Sequence, residues 1–159
     1  MNPLHVMVAD DESPKLNSVV EFLEGELIGI SITKTRSVRT TIDVLKRVRP
    51  DILVLDMSLP TFDVGPGEKG GRPQNLGGEE VLRYMEFYDL SCPVIIITQY
   101  DHFSDNGRHI PLAKVAERLR LEHPNNFMEM IHYGGSTSTA WRTELIAAME
   151  RLKHENTNS

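Results

Sequence analysis

The feature that most narrows the fold is the segment Asp51-Ile52-Leu53-Val54-Leu55-Asp56, four consecutive apolar residues held between two acids. A strand with one wet face alternates apolar and polar residues. A strand that is apolar at every position is covered on both faces, as a central strand of a parallel sheet is. Parallel strands need long crossover connections, usually helices, so the rest of the chain must alternate between strand-like and helix-like segments.

It does. Strand-like runs lie at 4–9, 28–33, 93–98 and 127–133, in addition to 51–55. Between them stand stretches of helical period. Ser13-Pro14 opens the first, with Leu16, Val19, Val20 and Leu23 on one face and Gly25 after them; Ser37 caps the second, which carries Val38, Ile42, Leu45 and Val48 and stops at Arg49-Pro50. A third begins at Glu79 with Val81, Leu82 and Met85; a fourth spans about 111–122; the last runs from about Ser138 to Lys153, burying Trp141, Leu145 and Met149. The expected architecture is one doubly wound α/β domain over residues 1–153, with a five-stranded parallel sheet in the order 2-1-3-4-5 and a polar tail at 154–159. Between Pro60 and Gly78 the periodicity vanishes amid six glycines and three prolines, which reads as a long loop. The stretch from Gln99 to Ile110 carries the weakest pattern.

In 159 residues there are 23 acidic and 17 basic side chains, a net charge of −6, which disfavours direct binding to nucleic acid or an anionic membrane. The one cysteine, Cys92, precludes an internal disulfide and reads as a packing residue. No apolar run approaches the length of a bilayer span, so the cytoplasm is the expected location.

In open parallel sheets chemistry gathers at the carboxyl ends of the strands. The first strand ends in Asp10-Asp11-Glu12, the third in Asp56 and the fourth in Thr98. If those strands are neighbours, three carboxylates and a hydroxyl share one pocket. Carboxylates so close repel unless a cation intervenes, and a hard, oxygen-seeking ion such as Mg²⁺ suits them.

These residues resemble the response regulator receiver family along essentially the whole chain. Val6-Met7-Val8-Ala9-Asp10-Asp11-Glu12 is similar to the family's first strand and acidic pair. Pro50-Asp51-Ile52-Leu53-Val54-Leu55-Asp56-Met57-Ser58-Leu59-Pro60 is similar to the strand that ends in its phosphoacceptor. The resemblance implies the flavodoxin-like receiver fold. It implies that Asp56 accepts a phosphoryl group, that Asp11, Asp56 and the main-chain carbonyl of Ser58 bind Mg²⁺ with Asp10 acting through water, and that Thr98 is the switch hydroxyl. It further implies a histidine kinase or phosphotransfer protein as donor and a downstream effector protein as partner. The altered face would be the fourth helix, fifth strand and fifth helix, through which homodimerisation is also conceivable. Such a domain is a phosphoryl recipient rather than an enzyme with its own turnover, beyond autophosphatase activity.

Three departures stand out. No Lys or Arg lies between Arg120 and Arg142, so the lysine that family members carry at the end of the fifth strand is missing, and His132 is the one cation offered there. Thr61 to Asn75 forms an insertion before Leu76-Gly77-Gly78, and Gln99 to Pro111 is a long connection. The missing lysine motivates an alternative, a receiver-like interaction module that works without phosphorylation. A small hydrolase acting on phosphorylated substrates shares the acidic pocket but lacks an evident general acid.

Other motifs carry less. Gly65-Pro66-Gly67-Glu68-Lys69-Gly70 fits GxGxxG spacing, but a proline sits inside it and no helix opens directly after it. Gly134-Gly135-Ser136-Thr137-Ser138 reads as a turn and helix cap, with an anion cradle as the sharper alternative. His102, His109, His123 and His132 lack metal-ligand spacing, and Met7, Met85, Met128, Met130, Met149 and Trp141 read as core.

Overall fold

The computed structural model describes residues 4–63, 77–135 and 138–157. Their elements are β1 (His5–Ala9), α1 (Ser13–Glu26), β2 (Ser31–Thr35), α2 (Val38–Arg47), β3 (Ile52–Leu55), α3 (Gly77–Phe87), β4 (Val94–Thr98), β5 (His102–Asp105), β6 (Arg108–Pro111), α4 (Leu112–Glu122), β7 (Phe127–His132) and α5 (Ala140–Thr157). Five strands form one parallel sheet in the order β2-β1-β3-β4-β7, the order expected from the sequence, with β7 as its fifth strand.

The central strands β3 and β4 are buried at every position, as their unbroken apolar runs require. Each sheet face carries its own core. On one, Met7, Leu53, Leu55 and Ile96 meet Ile42, Leu82, Met85, Val115 and Leu119 from α2, α3 and α4. On the other, Val6, Val8, Val54 and Ile95 meet Leu16, Val19 and Leu23 of α1 and Trp141, Leu145 and Met149 of α5. Ser37 caps α2 by accepting the Thr40 N–H.

The structure moves several boundaries. The second strand begins at Ser31 rather than Ile28, whose side chain is fully exposed. Gly25 lies inside α1, and the backbone turns at Gly29, with φ +75°. The last helix starts at Ala140 and continues to Thr157, past Lys153. The patternless stretch after β4 contains an antiparallel hairpin of β5 and β6, with Asp105 paired to Arg108 across Asn106-Gly107, both at positive φ. The GxGxxG spacing, the 64–75 part of the insertion and Leu76 lie outside the described residues.

Candidate functional site

Parallel register brings the ends of β1 and β3 together. Ala9 pairs with Leu55, and the Asp56 N–H donates to the Ala9 carbonyl at 2.9 Å. The acids that follow therefore converge: carboxylate oxygens of Asp10, Asp11 and Asp56 all lie within 4.8 Å of one another. Asp10 and Asp56 are buried, and Asp11 opens to solvent. Asp10 also shapes the turn, its Oδ1 accepting the Glu12 N–H at 2.9 Å.

The pocket contains a cation that the sequence reading did not find. Lys15, in the first turn of α1, is only 2% exposed and places Nζ 2.9 Å from Asp10 Oδ2 and 2.9 Å from Asp56 Oδ1. Burial disfavours an ammonium, and a cation in a helix's first turn opposes the helix dipole. The two carboxylates outweigh both: although burial alone would lower it, Asp56 and Asp10 hold the Lys15 pKa above its ordinary value. Burial is also the main influence on Asp10, and with Asp56 it raises the carboxyl from 3.8 to about 6 against the pull of Lys15. Asp11 is raised too, through partial burial and the charge of Asp56. With every group ionised, one ammonium among three carboxylates leaves the pocket two negative charges in excess.

The segment after Asp56 is fixed from two sides. The Met57 carbonyl accepts the Gly78 N–H at 2.9 Å, and the Pro60 carbonyl accepts the Val38 N–H at 2.8 Å. Gly77 and Gly78 permit this approach: a Cβ on Gly77 would fall 1.8 Å from the Leu59 carbonyl oxygen, and one on Gly78 2.9 Å from that of Asp56. Ser58 Oγ is buried and has no hydrogen-bond partner among the described residues.

No protein-family model matches the chain. Over 151 residues it is 29% identical to the Detocs response regulatory protein DtcB of Enterobacter cloacae (strain JD6301), an alignment covering 94% of this chain and 100% of that protein. It is 25% identical over 150 residues to a protein of the same name from Vibrio alginolyticus, covering 93% and 99%. The signal receiver domain of a Vibrio parahaemolyticus protein described as a Luxo repressor superposes with a TM-score of 0.65 at 18% identity, covering 99% of this chain and 98% of that one. The chain has the flavodoxin-like receiver fold.

This chain holds its pocket lysine on α1, and β7 carries none. His132, the cation the sequence offered there, is exposed, with Nε2 3.3 Å from the Gln99 carbonyl oxygen. Glu129 on the same strand pairs with Arg151. The periodicity of α1 holds the signal that was missed, because Lys15, Val19 and Leu23 share a face at i, i+4, i+8. A lysine on a buried face, four residues after an acidic strand end, aims its charge at that end.

Thr98 is fully buried at the same sheet edge. Leu55 pairs with Ile96, so Thr98 stands one residue beyond the level of Asp56. Its Oγ1 accepts the Tyr100 N–H at 3.2 Å, and its carbonyl accepts the Tyr133 N–H at 2.7 Å. Near the loop before α5, the Ser138 N–H donates to the Gly135 carbonyl, a turn contact; the anion-cradle reading depends on Ser136 and Thr137, outside the described residues. Cys92 is buried and donates to the Pro50 carbonyl; burial and the charge of Asp51 push its thiol up to about 12, which suits a packing residue. His123 is buried against the Glu86 carboxylate, a structural role.

Proposed function

We propose that this receiver domain is a phosphoacceptor in a phosphorelay, in which Asp56 takes a phosphoryl group in a Mg²⁺-dependent step and the change alters a partner-binding face. The observation that carries the reading is the convergence of buried Asp56 with Asp10 and Asp11 at the carboxyl edge of the sheet. The donor set fits the ion. It is all oxygen, it holds two negative charges in excess of Lys15, and two residues after Asp56 in the chain the buried Ser58 Oγ has no hydrogen-bond partner among the described residues. Asp11, Asp56 and the Ser58 carbonyl would hold Mg²⁺, with Asp10 acting through water. The ion would supply positive charge against the phosphoryl oxygens.

The chain's own residues do the rest. Asp56 is the nucleophile, kept in place by the β1–β3 ladder and the glycine-tight contact of its loop with α3. Thr98 is the switch hydroxyl: the phosphoryl oxygens are stronger acceptors than its present backbone environment, and turning toward them releases the Tyr100 N–H. The altered face is that of α4, β7 and α5, where Leu112, Ala116, Met130, His132 and Ala140 line a groove. The donor would be a histidine kinase or phosphotransfer protein in the cytoplasm and the recipient an effector protein, in keeping with relatives named response regulatory proteins. No helix among the described residues is long and apolar enough to cross a membrane.

A second reading, an interaction module that works without phosphorylation, draws on one observation: Lys15 already satisfies Asp10 and Asp56. Intact mass after incubation with phosphoramidate and Mg²⁺ separates the two. One added phosphoryl group, absent from Asp56→Asn, supports the phosphoacceptor; no addition to a chain that binds Mg²⁺ supports the module.

A further inference from the structure

We infer that Lys15 is the cation that pairs with the phosphoryl group on Asp56, performing from the first turn of α1 the task that the missing lysine of the fifth strand would otherwise perform. The inference rests on the phosphoacceptor reading and names a residue within it.

Three observations converge on Lys15. It is the cation that contacts the acceptor carboxylate among the described residues, at 2.9 Å, and it is buried to the last few per cent. It stands where a lysine is disfavoured twice, inside the protein and at the positive end of a helix. Nothing in the cores needs a polar atom there, since Leu16, Val19 and Leu23 already join α1 to the sheet. And β7 offers no alternative, with Glu129 turned to Arg151 and His132 to the Gln99 carbonyl.

The contact also selects the attacking atom. Because Lys15 holds Oδ1, attack falls to Oδ2 of Asp56. With phosphoramidate as donor, a bond forms between Oδ2 and phosphorus while the P–N bond breaks, and the already protonated nitrogen departs as ammonia. No oxidation or reduction is involved. Oδ1 then becomes the carbonyl oxygen of an acyl phosphate and loses most of its negative charge, which passes to the phosphoryl oxygens. The Lys15 ammonium, already beside Oδ1, follows that charge by rotating about its terminal bonds and gives up its contact with Asp10 Oδ2. The resting ion pair is therefore a holding position for a group that acts when phosphoryl arrives.

The test compares phosphorylation of the full chain by phosphoramidate with Mg²⁺ in the native protein, Lys15→Met and Lys15→Arg, with intact mass as readout. Loss of one aligned charge predicts a rate about 100-fold lower for Lys15→Met. Lys15→Arg, which keeps the charge, should stay within about tenfold of native. Because Lys15→Met leaves two buried carboxylates without their partner, a second measurement uses the native chain alone: the ¹⁵N resonance of the Lys15 ammonium should move on phosphorylation. Equal rates for native and Lys15→Met, or a Lys15 resonance unmoved in phosphorylated protein, overturns the assignment alone. A native chain that takes no phosphoryl group overturns the phosphoacceptor reading and this assignment with it.

Discussion

Ionising the pocket should cost this protein stability, and Asp10 sets the size of the effect. Its carboxyl is raised from 3.8 to about 6, chiefly by burial and then by Asp56, net of what Lys15 returns. The folded state therefore holds this proton up to about pH 6, while the unfolded chain releases it near pH 4. Between those values the native state binds more protons, so stability falls as pH rises, and the loss is complete by about pH 7. A shift of about two units corresponds to roughly 3 kcal/mol. Urea unfolding in EDTA, followed by the fluorescence of buried Trp141, measures it at half-unit steps from pH 4 to 7. Other groups titrate in the same window, so the informative quantity is the difference between the native protein and Asp10→Asn, which should gain up to 3 kcal/mol relative to native across the window. Mg²⁺ at about 100 times its Kd should restore roughly 2.7 kcal/mol to the native protein at pH 7. Parallel pH profiles for the two proteins in EDTA would refute the reasoning.

Other consequences are equally direct. Gly77→Ala forces a methyl onto the Leu59 carbonyl, so we expect a loss of about 1–3 kcal/mol in urea unfolding and slower phosphorylation from a displaced acceptor loop. Leu82→Ala, at a fully buried site between α3 and the sheet, should cost about 2–5 kcal/mol by the same assay. Gly107→Ala meets no atom but must adopt φ near +79°, at a cost of about 1 kcal/mol; hydrogen exchange of the Phe103 and Ser104 amides should quicken about fivefold while exchange in β3 stays unchanged.

Strand order, the two-sided burial of β3 and the meeting of Asp10, Asp11 and Asp56 were legible because a parallel sheet leaves little choice in where an all-apolar strand can lie or where the acids after it must point. The edge strand β2 was less so. Ile28, Ile30 and Ile32 alternate before and through it, and the pattern does not say where pairing with β1 begins; the turn at Gly29 decides that. The hairpin was announced by Asn106-Gly107, a strong turn signal passed over because the residues around it are mostly polar. Lys15 was not legible, since lysines on helices are usually solvated, and its pairing depends on three segments meeting in space.

The join between β6 and α4 has a mechanical side. Pro111 ends the strand and Leu112 begins the helix, with the Leu112 N–H bonded to the Asp101 carbonyl at the hairpin's base. With no residue between strand and helix, a movement of the hairpin would carry the helix with it about the short span that follows Thr98. An 11-residue helix is roughly 16 Å long, so a rotation of about 10° at that pivot carries its far end roughly 3 Å. On the proposed switching, a small excursion of the Thr98 hydroxyl at the sheet edge would be geared up into a displacement that a docked protein can feel.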